Sequence, residues 1–123
     1  MTRVRRSSQC GTSPAATRAE AIALALMGAG EMPAVRLAEN AVWDAPSGAI
    51  MGRAANMAAR AAGPPPDKIE LDEITTKGKA GSVSGRVFRA GAASLFCHLI
   101  RYTNASGVEI AQLVSFEHSG TPR

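Results

Sequence analysis

The sequence is poor in aromatic residues and contains no long apolar segment. Its 123 residues include one Trp, one Tyr and three Phe, and all of these fall in segments that read as strands. Because no aromatic side chain is left free to stack on bases, no nucleic-acid partner is expected. No run of about 18 apolar residues occurs, so neither a membrane span nor a membrane partner is expected.

Metal-ligating and cofactor-binding patterns are also missing from the sequence. The two histidines and two cysteines fit no zinc-ligand spacing. No glycine-rich phosphate loop follows a strand-like segment, so a nucleotide cofactor is not implied. The sequence therefore predicts a protein that works without a metal or a cofactor.

The two cysteines lie in unlike surroundings. Cys10 is in a polar segment and Cys97 is in an apolar one, so a disulfide between them is not expected. The basic residues 1–6 are not followed by the apolar segment of a secretory signal. A reducing, cytoplasmic location is the prediction.

The net charge of +4 belongs largely to the N-terminus. Arg3, Arg5 and Arg6 carry three positive charges, so the rest of the chain has a net charge of +1. Residues 1–16 are otherwise rich in Ser, Thr and Gly without apolar periodicity, which predicts a disordered basic tail. Residues 17–120 are predicted to form one globular domain.

Helical patterns occupy the first part of this domain. A capping box at residues 17–20 starts a predicted helix that ends at about Leu26. A second, short helix is predicted within residues 31–40, and a third, alanine-rich helix over residues 50–62. Residues 41–45 read as a short strand between the last two.

The second half reads as consecutive strands joined by glycine-bearing turns. The turns fall at residues 77–81, at Gly91 and at residues 104–107, and the segments between them alternate or are wholly apolar. Helices followed by hairpin-linked strands predict an α+β fold, with the helices on one face of an antiparallel sheet.

The strand at residues 94–102 is apolar on both faces. Alternation divides it into two sets, with Phe96, His98, Ile100 and Tyr102 on one face and Leu95, Cys97, Leu99 and Arg101 on the other. Such a strand has to be covered on both sides. Helices can cover one side, and the prediction for the other is a second copy of the chain in a homodimer. The alternative is a two-sided core with the C-terminus folded over the sheet.

Three segments together resemble the nuclear-transport-factor-two-like (NTF2-like) superfamily, in its SnoaL-like and ketosteroid-isomerase-like branch. They are AVWDAP at residues 41–46, Gly52-Arg53 at the start of the third predicted helix, and FCHLIRY at residues 96–102 with the turn and strand that follow. The resemblance covers roughly residues 17–118 and implies a cystatin-like roll, in which a curved antiparallel sheet wraps around N-terminal helices. It also implies a cone-shaped cavity and, commonly, a dimer.

The resemblance to ketosteroid isomerases implies three catalytic positions. Their Asp base precedes the proline of the early strand, a position that is Ala45 here, with Asp44 one residue earlier. The position of their phenolic donor on the first helix corresponds to Ala23, and the position of their second oxyanion donor corresponds to His98. Two of the three positions are alanine, so the isomerase set is incomplete in this sequence.

His98 is the strongest candidate site residue. Its imidazole can act as a general acid or base or donate a hydrogen bond to a ligand oxygen, or it can simply satisfy a buried polar group. Asp44 is the second candidate catalytic residue, a carboxylate partner of His98 or else a turn-forming residue before Ala-Pro. The candidate ligand-binding residues are Trp43, Phe96, Ile100, Tyr102 and Gln112.

Two functions are open at this point. The first is a SnoaL-like protein that binds a small apolar molecule in the cone and, if it is an enzyme, catalyses cofactor-free isomerisation, cyclisation or dehydration. The alternative is a non-catalytic dimeric binding or protein-interaction module. The residues do not decide whether a reaction is catalysed.

Overall fold

A computed structural model of the chain describes residues 2–30, 37–45, 48–53, 65–106 and 108–118. Within these ranges one helix and one seven-stranded sheet make up an α+β fold, as the sequence predicts. The elements are α1 (Pro14–Leu26), β1 (Arg3–Arg6), β2 (Leu37–Ala45), β3 (Gly48–Met51), β4 (Lys68–Lys77), β5 (Ala80–Arg89), β6 (Ala92–Tyr102) and β7 (Ile110–His118).

The strands form one open sheet in the order β1-β4-β5-β6-β7-β2-β3. Strands β4 to β7 pair antiparallel in chain order, which confirms the predicted hairpins. The sheet is mixed, however, and not antiparallel throughout, because β1 pairs parallel with β4 and β2 pairs parallel with β7. No tight turn marks these two pairings in the sequence, since parallel neighbours are joined by long crossover connections.

Helix α1 starts earlier than the capping box at residues 17–20 predicts. Ser13 is its N-cap and accepts a hydrogen bond from the backbone N–H of Ala16 at 3.1 Å, and Pro14 occupies the first turn. The N–H of Thr17 already donates to the Ser13 carbonyl at 2.9 Å, so Thr17 lies inside the helix. The helix ends at Leu26, as predicted, and Gly28 follows with φ +84°.

The N-terminal segment is ordered, in contrast to the disordered tail that its composition predicts. Strand β1 pairs with β4 in the register Val4↔Ile69 and extends the sheet by one strand. Residues Ser8–Cys10 form a 3-10 turn, and the Cys10 side chain is 2% exposed with its Sγ 3.4 Å from the Leu71 carbonyl. A four-residue strand with one apolar side chain is too short to show a periodicity in the sequence.

Two predicted helices fall partly on strands and partly outside the described residues. Leu37–Ala45 is a single strand, so the part of the second predicted helix at residues 37–40 is wrong. Ile50 and Met51 belong to β3, which pairs with β2 in a hairpin with Ala45 opposite Gly48, and this corrects the start of the third predicted helix. Cross-strand pairing outweighs local helix propensity there. Of the remainder of both predictions, residues 31–36 and 54–62 lie outside the described residues.

The sheet has an inner face, against which α1 packs, and an outer face. Helix α1 lies against β4 and β5 and buries Ile22 and Ala23 among inner-face side chains. In β6 the predicted alternation is confirmed, because Phe96, His98, Ile100 and Tyr102 are buried while Leu95, Leu99 and Arg101 are exposed. Over the ranges that the structure describes, no helix is long and apolar enough to cross a membrane.

Candidate functional site

His98 lies at the centre of the inner face. It stands on β6 between Val83 of β5 and Ser115 of β7, in strands that are hydrogen-bonded on both sides. The residue is 5% exposed, and the ring of Phe96 lies 5.2 Å from its own ring, centroid to centroid. The imidazole is therefore a polar group set in an apolar wall.

A hydrogen-bonded chain from two other strands holds the imidazole. The indole Nε1–H of Trp43 in β2 donates to Ser115 Oγ at 2.8 Å. The same Oγ lies 2.7 Å from His98 Nδ1. The parallel pairing of β2 with β7, which puts Trp43 opposite Leu113, brings the indole within reach of Ser115. Side chains of β2, β6 and β7 thus form one hydrogen-bonded chain that ends at Nδ1 of His98, although β2 is far from the other two strands in the sequence.

The other ring nitrogen of His98, Nε2, differs from Nδ1 in its surroundings. Nε2 is buried and makes no hydrogen bond to any residue that the structure describes. Burial, and secondly the positive charge of Arg89, lower the pKa of His98 from 6.5 to about 4. The imidazole is therefore neutral at pH 7, with one nitrogen engaged and one available.

An ion pair bridges the inner face beside His98. Arg89 of β5 and Glu117 of β7 share inner-face parity, and the Arg89 guanidinium donates to the Glu117 carboxylate across β6. Glu117 lies opposite Phe96, two residues along the ladder from the His98–Ser115 pair and next to it on the same face. Charged groups therefore stand beside the otherwise apolar wall.

Asp44 and Gln112 lie on the outer face, away from His98. Asp44 follows Trp43 by one residue, and a one-residue step along a strand turns the side chain to the opposite face. Its Oδ2 accepts a hydrogen bond from Gln112 Nε2 at 3.0 Å. The structure therefore brings these two candidate residues together with each other, but it separates both from His98.

The remaining candidate residues share the inner face with His98. They are 7% exposed or less and comprise Trp43, Phe96, Ile100 and Tyr102. The sequence analysis missed Ser115, Arg89 and Glu117. A signal for Ser115 was available, because it lies two residues after Leu113, and residues two apart in a strand point to the same face of the sheet.

A separate pocket lies at the edge of the sheet between β1, β4 and β5. It is open, has a volume of about 190 Å³, and is lined by Arg5, Arg6, Ser7, Glu70, Leu71, Asp72 and Arg86. The side chains at this edge are largely paired, since Arg6 binds Glu20 and Glu70 lies 3.0 Å from Lys68 and 3.5 Å from Arg86. The hydrogen bond from Lys68, more than any other contact, lowers the pKa of Glu70. These contacts describe a solvated ion-pair network, so the chemistry of interest remains at His98.

No protein-family model and no curated protein matches the chain. Solved structures do match it. An NTF-2 like protein of unknown function from Burkholderia xenovorans LB400 has a TM-score of 0.67 at 18% identity, over 86% of both chains. A candidate ketosteroid isomerase from Kribbella flavida DSM 17836 has a TM-score of 0.61 at 16% identity, over 73% of this chain and 66% of that one.

A third similar structure is an uncharacterised protein with a cystatin-like fold from Silicibacter pomeroyi DSS-3. Its TM-score is 0.62 at 17% identity, over 88% of this chain and 76% of that one. At such identities the likeness is one of fold. The chain has the cone-like α+β fold of the NTF2-like proteins, as its resemblance implied.

Proposed function

We propose that this protein, with its NTF2-like fold, binds a small, largely apolar molecule on the inner face of the sheet, with His98 as the polar contact. The observation that carries the proposal is Nε2 of His98, a polar atom buried in an apolar wall that has no hydrogen-bond partner in the part of the chain that the structure describes. A ligand that supplies a partner to this nitrogen would be bound in a defined orientation, while its apolar body contacts the surrounding side chains.

The energetics favour a ligand over a purely structural role for His98. Leaving a buried polar atom without a hydrogen bond costs about 1–3 kcal/mol. The Nδ1 side is satisfied by Ser115, so a structural histidine at this position would need a further partner for Nε2. A bound molecule offsets the cost, which is the behaviour expected of a binding site.

If the bound molecule reacts, the reaction would be a proton transfer without a cofactor, of the isomerisation, cyclisation or dehydration class. The similar Kribbella flavida structure is described as a candidate ketosteroid isomerase, which supports this class. Asp44, on the outer face, is not available to assist His98. Any contribution of His98 to such a reaction is therefore made without Asp44.

The experiment is a thermal-shift screen of a small-molecule library. It compares the parent with His98→Phe, which keeps a buried ring and removes Nε2, and with the matched control His118→Ala, whose histidine is exposed near the end of β7. Compounds of the proposed kind raise the melting temperature of the parent and the control but not of His98→Phe. Equal shifts in all three proteins would remove His98 from the site.

The outer face favours a second candidate, the non-catalytic dimeric module. Leu95 and Phe116 are 56% and 57% exposed there and Leu99 is 40% exposed, on neighbouring strands of the outer face. Exposed apolar side chains that adjoin one another are typical of an interaction surface. A second copy of the chain seated on this surface would bury them.

Light scattering coupled to gel filtration tests this candidate. Leu99→Glu should convert a dimer to a monomer because it buries a charge in the contact. Thr103→Glu is the matched control, since Thr103 is an exposed residue of the turn after β6, outside the strands that form the outer face. A parent protein that is monomeric at every concentration would rule out the dimer.

A further inference from the structure

The hydrogen-bonded chain behind the imidazole has a direction. Its three members, Trp43, Ser115 and His98, are each 7% exposed or less, so bulk water does not compete for their hydrogen bonds. The indole Nε1–H of Trp43 is a donor and has no acceptor capacity. One lone pair of Ser115 Oγ is therefore committed to Trp43, and what remains is one hydroxyl hydrogen and one lone pair.

Two arrangements can fill the 2.7 Å contact between Ser115 Oγ and His98 Nδ1. In the first, the serine hydroxyl donates to an unprotonated Nδ1, and the ring proton is on Nε2. In the second, a protonated Nδ1 donates to Ser115 Oγ. This oxygen then accepts two hydrogen bonds, and its own hydroxyl hydrogen needs a further acceptor. Among the described residues, Ser115 Oγ makes no hydrogen bond beyond those to Trp43 and His98.

The first arrangement leaves fewer buried groups without a partner. It satisfies the indole, the serine and Nδ1, and leaves one unpaired atom, Nε2 with its proton. The second leaves Nε2 unpaired as well and adds an unpaired hydroxyl hydrogen. Because buried polar groups are nearly always hydrogen-bonded, the arrangement that leaves one buried group without a partner is preferred to the one that leaves two.

We infer that Trp43 and Ser115 are positioning residues that hold neutral His98 as the Nε2–H tautomer. The site then presents a hydrogen-bond donor and selects apolar molecules with an acceptor oxygen, such as a ketone carbonyl. Nε2 then donates a hydrogen bond and cannot take up a proton as a base. The ligand class rests on the proposed function, whereas the tautomer does not.

Imidazole nitrogen spectra of 15N-labelled protein test the tautomer without any ligand. The chain has two histidines, so exposed His118 supplies an internal reference in each spectrum. In the parent at pH 7, the Nε2–H form of His98 should exceed the Nδ1–H form by roughly tenfold or more. Ser115→Ala should lower this excess toward the ratio of the two forms in an unconstrained histidine, and Ser115→Thr, which keeps a hydroxyl, should restore it.

A predominantly Nδ1–H imidazole in the parent would overturn the inference, and so would an unchanged tautomer ratio in Ser115→Ala. If Ser115→Ala does not fold, the parent and Ser115→Thr decide the question, because both have to show the Nε2–H form. These readouts depend on the direction of the hydrogen bonds, which a merely structural contribution of Ser115 to packing would not change.

Cyclohexanone and cyclohexylamine test the ligand class on the same signals. The two probes share a ring, but one offers an acceptor oxygen and the other a charged donor. Cyclohexanone should shift the Nε2–H signal of His98, and cyclohexylamine should not. An equal response to both, or no response to the ketone, refutes the ligand class. If the library screen also finds no ligand, the proposed function fails with it, while the tautomer assignment is judged by the spectra alone.

Discussion

Acidification should destabilise the fold through His98 well above the pH at which most carboxylates titrate. The pKa of His98 is lowered from 6.5 to about 4 in the folded protein, first by burial and then by Arg89. Between these values the unfolded chain binds a proton at this residue and the folded chain does not. The stability contributed by neutral His98 is therefore fully present above pH 6.5 and is lost progressively as the pH falls toward about 4.

The size of the effect follows from the distance between the two pKa values. Each pH unit in this window costs about 1.4 kcal/mol of unfolding free energy, and the window is about 2.5 units wide, so the total loss approaches about 3 kcal/mol. A domain of this size has roughly 5–15 kcal/mol of stability in all. The loss is therefore large enough to measure by chemical denaturation.

Urea unfolding curves between pH 4.5 and 7.5 measure this loss. The parent and His118→Ala should lose stability with similar slopes as the pH falls, because His118 is exposed in both states. His98→Phe should lose less, and the difference between its curve and that of the parent isolates the contribution of His98. The reasoning is refuted if the parent and His98→Phe have the same slope between pH 6.5 and 4.5, or if the parent becomes more stable on acidification.

Two further pairs of substitutions test the β4–β5 register and the start of α1. A Cβ on Gly85 of β5 would lie 1.9 Å from the Glu70 carbonyl oxygen, so Gly85→Ala should lower the free energy of unfolding in urea by about 3 kcal/mol or more. A Cβ on Gly81 of the same strand would meet nothing closer than 3.6 Å, so Gly81→Ala should change stability by less than about 1 kcal/mol. Equal costs would contradict the described β4–β5 register. Ser13→Ala should lower the free energy of unfolding by about 1 kcal/mol, because it removes the N-cap of α1. Thr17→Ala should lower it by less than about 0.5 kcal/mol in the same assay. The reverse order would show that α1 starts at residue 17.

The sequence predicts the part of the fold in which strands that follow one another along the chain also pair in the sheet. The turns at residues 77–81 and 104–107 and the alternation in β6 are local signals, and the structure bears them out. The parallel pairings of β1 and β2 depend on contacts between distant segments, which no local pattern reports. For the same reason Leu37–Ala45 forms one strand although its first residues carry no strand signal of their own.

The candidate site shows the same division between local and distant information. His98 and Trp43 could be found because each is a polar or amphipathic side chain in an apolar strand. The spacing of Ser115 from Leu113 could have placed it on the inner face, but its hydrogen bond to Trp43 depends on the β2–β7 pairing, which no local pattern reports. Asp44 was assigned to the site because it lies one residue before the position of the isomerase base, and the alternation of a strand is the physical reason that it lies on the other face.

The positions that the isomerase resemblance implies limit what this site can catalyse. They fall on Ala23, which is completely buried on α1, on Ala45 and on His98. A methyl side chain neither gives nor takes a proton, so two of the three groups are absent from the positions in question. Tyr102 adds a phenol to the inner face, but it lies four residues from His98 along β6, which is about 13 Å at the rise of a strand.

Two groups that act on one reacting atom must each come within about 3 Å of it, whereas the backbone positions of His98 and Tyr102 lie about 13 Å apart. A ligand long enough to contact both would instead be oriented by them, with its acceptor at His98. Binding and orientation of a ligand are therefore within the capacity of the inner face that the structure describes.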